Sequence, residues 1–544
     1  MLKDRSRGEM IEDPKLSVRR AVERSFVRSH CVRFRSGSMH LIIATFLMGG
    51  QSMGSAAFAQ TSPTARVLVL SNVTIVDTHD GKLTPGATIV IEGGKITNIA
   101  RSWKIDAATN AQHIDGKGRF VVPGFWDMHA HPFNNANLAD NLTLMLTYGI
   151  TGVRQMAGSP QLLEERKEGK LIPSTPAPEL LALPGDLLLP TNAGTPEAAV
   201  AEVQKQKKEG ADFIKTIQVA PDAFFASLAE ATRQGLPYEG HLSPGVSATK
   251  ASEAGMRAIE HLGAGEGILV DCSSDEAAIR QAIASQPARP STAQAASGAA
   301  AILNQKIGLA SPVLASSLSD PNYIPQTHHL IDTYSEAKSR ALAQTFIDHQ
   351  TWQTPTLIRL RTAAFADDPF YSSNPDLHYA SPESLQLWQA VAERYSSLTP
   401  EAQATLHSAF ALQMKITRLF DEAGVQMLAG SDCGGSVWEV FGASLHQEFD
   451  LLAQAGLSPL KVLQMTTLNG AKFYNRQATA GSVEEGKEAN LVLLDGNPVE
   501  TVQNLHKIYA VIRGGNFYST DALKALKQQV AENLKSNPAG SKKP

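Results

Sequence analysis

Cysteine is nearly missing from this chain. Cys31, Cys272 and Cys433 are the three in 544 residues, too few for a disulfide framework and too widely spaced for a zinc ribbon. An excess of either charge is also lacking, since 49 Lys and Arg stand against 53 Asp and Glu, for a formal net charge of -4. Nucleic-acid binding calls for a basic surplus and an interaction tail for a charged block, so neither class is indicated. Nor is there a long apolar run. The stretch Leu41–Gly50 (LIIATFLMGG) covers ten residues, too short to cross a bilayer, so stable membrane insertion is not expected. With 43% hydrophobic and 19% charged residues, the profile is that of a globular protein whose partner is a small molecule, with homo-oligomerisation left open.

The same apolar stretch reads as the core of a secretion signal. Ala57-Phe58-Ala59 supplies the small residues a signal peptidase needs before Gln60, which makes residues 1–59 a leader and the mature protein periplasmic or secreted. The arginines at 19, 20, 24, 28, 33 and 35 precede it, so translation starting at either Met1 or Met39 is compatible with the pattern.

From Arg66 to Val122 the residues alternate as strands, with a Gly93-Gly94 hairpin signal. The alternation returns at Ala489–Asp495 and Lys507–Phe517, so residues 60–122 and 476–520 are expected to form one small β-sandwich domain built from both termini, followed by a helix and tail at 521–544. Between them, at 123–475, strand and helix patterns alternate. Strands are expected at 125–131, 152–156, 178–183, 212–217, 237–242, 258–262, 352–358 and 426–430, with helices at 196–209, 221–234, 246–254, 336–349, 402–423 and 445–455. Eight strands in an α/β alternation predict a (β/α)8 TIM barrel, whose catalytic residues gather at the C-terminal strand ends.

The most informative stretch is Gly124–Pro132 (GFWDMHAHP). His129 and His131 are one residue apart at the end of an apolar strand, so both imidazoles point to one side and can share a metal ion. Lys215, His241, His261 and Asp432 each stand in or just after another short apolar run. Four histidines and a carboxylate suit zinc or a similar divalent ion. A lysine inside an apolar strand loses basicity on burial, and a neutral amine can take up carbon dioxide as a carbamate. Lys215 could instead pair as an ammonium with Asp212 or Glu239. Arg154 is a candidate for holding a substrate carboxylate, or equally for a structural ion pair. Cys433 lacks an adjacent activating histidine and reads as packing; His328 and His329 read as solvent-facing.

The segments VVPGFWDMHAHP, GITGVRQMAG, GADFIKTI, LPYEGHLS, AGMRAIEHL, VQMLAGSD and GSVEEGKEANLVLLDGNP together resemble the amidohydrolase superfamily, in its imidazolonepropionase-like or prolidase-like branch with a carboxylated lysine. That resemblance implies a metal ion held by His129, His131 and Asp432, a second held by His241 and His261, and a carbamate on Lys215 with a hydroxide bridging the two. It implies hydrolysis of an amide or related C–N or C–O bond, with Asp432 passing the proton to the leaving group. Gln155 and Asn490 stand where the family usually has aspartate, which affects local polar contacts only. A mononuclear deaminase on the same fold and a periplasmic binding protein without catalysis are the alternatives. Two insertions, Cys272–Tyr334 and Arg359–Pro400, follow the sixth and seventh strands and are expected to shape the pocket.

Overall fold

The computed structural model describes residues 67–101, 111–173, 175–265, 267–285 and 299–536. The leader at 1–59, with Cys31 and the cleavage site after Ala59, lies outside the described residues.

Among the described residues fifteen strands run in chain order: β1 Leu68–Val76, β2 Leu83–Glu92, β3 Lys95–Ala100, β4 Gln112–Asp115, β5 Phe120–Pro123, β6 Phe125–Ala130, β7 Ile150–Gln155, β8 Glu179–Ala182, β9 Ile214–Thr216, β10 Tyr238–Gly240, β11 Ala258–Glu260, β12 Trp352–Thr354, β13 Leu491–Leu494, β14 Ile508–Arg513 and β15 Asn516–Ser519. The two ends of the chain do share one sheet. Its order is β15-β14-β13-β5-β1-β2-β3, with β4 on β1, and the joint is β13 lying antiparallel on β5, Leu491 opposite Pro123 and Leu494 opposite Phe120. Gly93 and Gly94 turn β2 into β3 with φ of 57° and 77°, values that favour glycine. The inward positions Leu70, Val73, Ile89, Leu493 and Ile512 are fully buried against one another.

The other strands form two parallel sheets, β6-β7-β8 and β12-β11-β10-β9, with helices between them in sequence. Helix boundaries follow local capping chemistry. Thr195 accepts from Ala198 N ahead of helix Pro196–Glu209, which stops at Gly210 in the left-handed region; Thr399 and Gly424 bracket Pro400–Ala423 in the same way.

Every expected strand between 125 and 430 ends early, and three give way to a turn or helix that delivers a side chain to the site. Residues 426–430 form no ladder strand; Met427 makes a single bridge to Gln353, and Cys433 another to Ala130. The chain there instead folds over β6, with Ser431 N and Asp432 N both donating to His129 O. Gly430 permits this approach, because a Cβ at that position would stand 2.6 Å from the Cβ of His129. After β11, His261–Gly263 is a 3-10 turn, and after β12 a helix begins at Leu357. The insertions, rich in turn formers, are nonetheless mainly helical where described: Glu276–Ser285, Ala299–Ala310, Pro312–Ser319 and Tyr323–Asp332 in the first, and Pro382–Tyr395 in the second. None of the described helices is long and apolar enough to cross a membrane.

Candidate metal centre

β6 carries His129, with His131 directly after it; β9 carries Lys215, and His241 and His261 follow β10 and β11 directly. Asp432 arrives on the turn that crosses β6. His129 Nε2 lies 3.0 Å, His131 Nε2 3.1 Å and His261 Nε2 3.9 Å from one carboxylate oxygen, Asp432 Oδ1. The ring of His241 packs 5.0 Å from that of His261. His129, His261 and Asp432 offer donor atoms that lie within 4.8 Å of one another.

The hydrogen bonds behind these rings fix which nitrogen faces inward. Glu260 Oε2 is 2.6 Å from His129 Nδ1, so the proton of that ring sits on Nδ1 and donates to the carboxylate. Thr356 Oγ1 spends its own proton on Pro355 O and therefore accepts from His261 Nδ1. Both rings then present an Nε2 lone pair toward a carboxylate oxygen, and His261 Nε2 is buried without a hydrogen-bond partner. Acceptors facing acceptors in a buried site repel unless a cation lies between them, so the donor set fits a divalent ion.

Burial lowers the basicity of His131, and drives His241 and His261 well below the usual imidazole range, which keeps these rings neutral and available as ligands. Asp432 holds its charge the other way: burial alone would raise it, but Arg359, His261 and His129 keep it well below the usual carboxylate range. Lys215 is 1% exposed and its Nζ has no hydrogen-bond partner. Burial brings its pKa down to about 8. Pairing with Asp212 or Glu239 is not what the structure has, because Asp212 is bound by Arg166 and Glu239 by Arg154.

Arg154 corrects an expectation. It is fully buried, with Nη1 2.8 Å from Glu239, Nη2 2.8 Å from Glu260 and 3.2 Å from Thr354, and Nε on Met128 O. A guanidinium so engaged cannot reach a substrate, so the structural ion pair is the arrangement found. Its effect on the site runs through Glu260, whose pKa falls to about 2 because Arg154 and His129 outweigh desolvation. Cys433 is packing, as expected, with burial raising its thiol well above the ordinary value. His328 and His329 are exposed.

Several site residues escaped the sequence reading. Glu260 stands one residue ahead of His261, and a carboxylate inside an apolar strand was the available signal; Glu239, two residues ahead of His241, is legible only as a possible partner of Lys215, not as the partner of Arg154. Asp127 ties β6 to the Asp432 turn, accepting from Ser431 N at 3.0 Å and Ser431 Oγ at 2.6 Å. Thr356 and Arg359 had no pattern to mark them; Arg359 pairs with Asp432 Oδ2 from the first turn of the helix after β12. His261, Leu262, Thr356 and Asp432 all adopt positive φ, between 44° and 56°, so backbone strain concentrates where the ligands are aimed.

Known proteins resemble the chain in two ways. Residues 402–518 match the model of the amidohydrolase family. A stretch of 64 residues is 41% identical to adenine deaminase of Desulforamulus reducens, covering 12% of this chain and 10% of that protein. Another of 76 residues is 37% identical to imidazolonepropionase of Anaeromyxobacter dehalogenans, covering 13% and 18%. The chain thus matches less than a fifth of the length of these curated relatives. The whole fold finds a wider likeness: bottromycin amidohydrolase superposes with a TM-score of 0.61 at 20% identity, over 88% of this chain and 92% of that one. Residues 402–518 are thus similar to the amidohydrolase family, and the described chain shares the α/β fold of bottromycin amidohydrolase.

Proposed function

We propose that the protein is a metal-dependent hydrolase that cleaves a carbon–nitrogen bond of amide type. The observation that carries this is the convergence of three imidazole nitrogens on Asp432 Oδ1, with the lone pairs of His129 and His261 turned toward that oxygen, an arrangement that a cation would stabilise. His129, His131 and Asp432 would hold one divalent ion, most simply zinc, and His241 and His261 a second, with a carbamate on Lys215 between them. Ions bound there supply Lewis acidity toward a carbonyl and acidify water. Asp432, kept ionised by Arg359, accepts the proton of the attacking water and hands it to the leaving nitrogen. Glu260 and Thr356 hold His129 and His261 in the tautomer that ligation needs. Burial brings the pKa of Lys215 to about 8, so its neutral fraction near neutral pH exceeds that of an ordinary lysine, and carbamate formation requires the neutral amine.

In the same reading the two parallel sheets and the Met427 segment make one eight-stranded barrel at 123–475, and the terminal sheet makes the small sandwich of 60–122 and 476–520. Export with cleavage after Ala59 would place the enzyme in the periplasm or outside the cell. The likeness to adenine deaminase favours a second reading, a mononuclear deaminase; the unpartnered buried Lys215 speaks for the two-ion form.

Metal analysis joined to hydrolysis assays tests the choice. Wild type should carry two ions per chain and cleave amides, His261→Ala should lose at least one ion, and Lys215→Ala should lose metal and activity together. Acetate or propionate, bridging in place of the carbamate, should restore part of both in Lys215→Ala. Undiminished metal in both variants would overturn the assignment, and one ion with activity toward an amino-substituted ring would establish the deaminase.

A further inference from the structure

The second insertion helps to enclose a cavity of about 250 Å³ that shares no residue with the metal centre. That size lies near the lower end of the range for small-molecule sites. Its apolar wall is Ala366, Leu377, Leu385, Ala392 and Trp438. Ala366 stands just past the helix Leu357–Ala364, Leu377 on the turn Pro375–Tyr379, Leu385 and Ala392 on the helix Pro382–Tyr395, and Trp438 on the segment that follows Asp432. Leu377, Leu385 and Ala392 are half-buried, so part of each apolar surface is left uncovered by the protein's own packing. Trp438 is held firmly: its Nε1 donates to Ala366 O at 2.8 Å, and its φ of 60° is a left-handed value that a bulky residue takes only where its surroundings impose it.

Two carboxylates line the same cavity, and they differ in how they are satisfied. Asp368 is fully engaged, with Oδ2 2.8 Å from Arg361 Nη2 and Oδ1 accepting from Phe370 N at 2.9 Å. Arg361 is engaged in turn, lying 5.0 to 5.4 Å from the ring centres of Phe365, Phe370 and Tyr371. Asp367 accepts from Ser396 Oγ at 3.0 Å and has no ion pair among the described residues. His407 feels the field of Asp367, but burial lowers its basicity, so it is neutral at neutral pH. The cavity thus combines apolar walls, an indole and one unbalanced negative charge.

That combination selects a class of ligand. One free carboxylate supplies too few anionic oxygens to hold a metal ion, and an anion would be repelled by it. A neutral apolar molecule would gain nothing from Asp367. A cation whose charge is spread over carbon uses every part: its body covers the walls, and its charge meets the carboxylate beside an aromatic ring. We propose that this cavity binds an organic cation with an apolar body, such as a quaternary ammonium carrying an aromatic or branched group, with Asp367 as the charge partner. The site does not depend on the hydrolase reading above.

The test is calorimetric titration of the metal-loaded protein with benzyltrimethylammonium, with 2-phenylethanol as the uncharged counterpart and tetramethylammonium as the charge without the ring. Wild type should bind benzyltrimethylammonium at one site, about tenfold tighter than either of the others. In Asp367→Asn the preference over 2-phenylethanol should fall to unity at unchanged melting temperature. Leu385→Trp, which fills the cavity, should lose binding of all three at unchanged metal content. No binding of benzyltrimethylammonium, equal binding of 2-phenylethanol by wild type, or an undiminished preference in Asp367→Asn would overturn the proposal. Binding retained in Leu385→Trp would put the cation elsewhere on the protein and overturn it as well. Hydrolysis rates separate the two sources of such a cation. If benzyltrimethylammonium raises KM and leaves kcat unchanged, the site takes a cationic end of the substrate; if KM is unchanged, it takes a separate ligand, and both results uphold the site.

Discussion

The terminal sheet and the parallel sheets bury their strands against opposite kinds of neighbour. On β1–β5 and β13–β15 no charged residue is buried, and Leu70, Val73, Ile89, Leu493 and Ile512 close an apolar interior. On the parallel strands Asp127, Arg154, Lys215, Glu239 and Glu260 are all between 0% and 1% exposed. Apolar burial stabilises the first region without direction. In the second, each charge must be matched by a partner at the right distance, so stability and the aim of the ligands depend on the same contacts.

Arg154→Ala should break this contrast most sharply. It leaves Glu239 and Glu260 buried without their counter-ion, which costs about 4 kcal/mol, and it frees the carboxylate that orients His129. Denaturant unfolding and metal titration of the same variant should therefore both worsen. A variant that loses stability yet binds metal as wild type does would mean that Glu260 does not need Arg154 to hold His129.

Leu493→Ala is the matched probe in the terminal sheet. Removing a fully buried leucine there should cost about 3 kcal/mol through lost burial and the cavity left behind. Metal affinity should not change, because no ligand or partner of a ligand lies in that cluster. Loss of metal in Leu493→Ala would show that the terminal sheet supports the site after all.

The same contrast explains what could be read from the residues. Period-two alternation in LVLSNVTIV and ATIVIE, with Gly93-Gly94 between strands, is a local signal, and the terminal sheet follows it. Helix Pro196–Glu209 was legible to the residue, since Thr195 and Gly210 announce its ends. The candidate ligands were legible as residue types at strand ends and through the family resemblance, and the structure brings His129, His131, His261 and Asp432 together. Their supports were less so. Thr356 and Arg359 reach the site because the chain leaves β12 in a left-handed turn, and that turn has no glycine to mark it. The fate of Arg154 depended on Glu239 and Glu260, 85 and 106 residues away, which no local pattern connects. The 426–430 segment looked like a strand because its residues are apolar, and it does bond to Gln353 on one side and Met128 on the other, but with a single bridge at Met427 before Ser431 and Asp432 turn onto His129 O.

The last effect is a slope rather than a loss at one pH, and it comes from Glu448. This residue is fully buried on the helix Ala443–Ala455; Oε2 accepts from Ile358 N, Oε1 has no partner, and burial pushes its pKa up to about 8 from the ordinary 4.5. Below about pH 4.5 folded and unfolded chains both keep the proton, so the group adds no pH dependence. Between about 4.5 and 8 the unfolded chain has released the proton and the folded chain has not, so folding takes up a proton and stability falls as pH rises, by up to about 1.4 kcal/mol per pH unit. Glu448→Gln keeps the shape and the acceptor for Ile358 N but cannot titrate. Its unfolding free energy should stay flatter across that window, diverging upward from wild type as pH increases, while Leu493→Ala should run parallel to wild type at a constant offset. Parallel curves for Glu448→Gln as well would mean that the folded protein accommodates an ionised Glu448, and that burial of charge beside β12 is less costly than the contrast between the two regions requires.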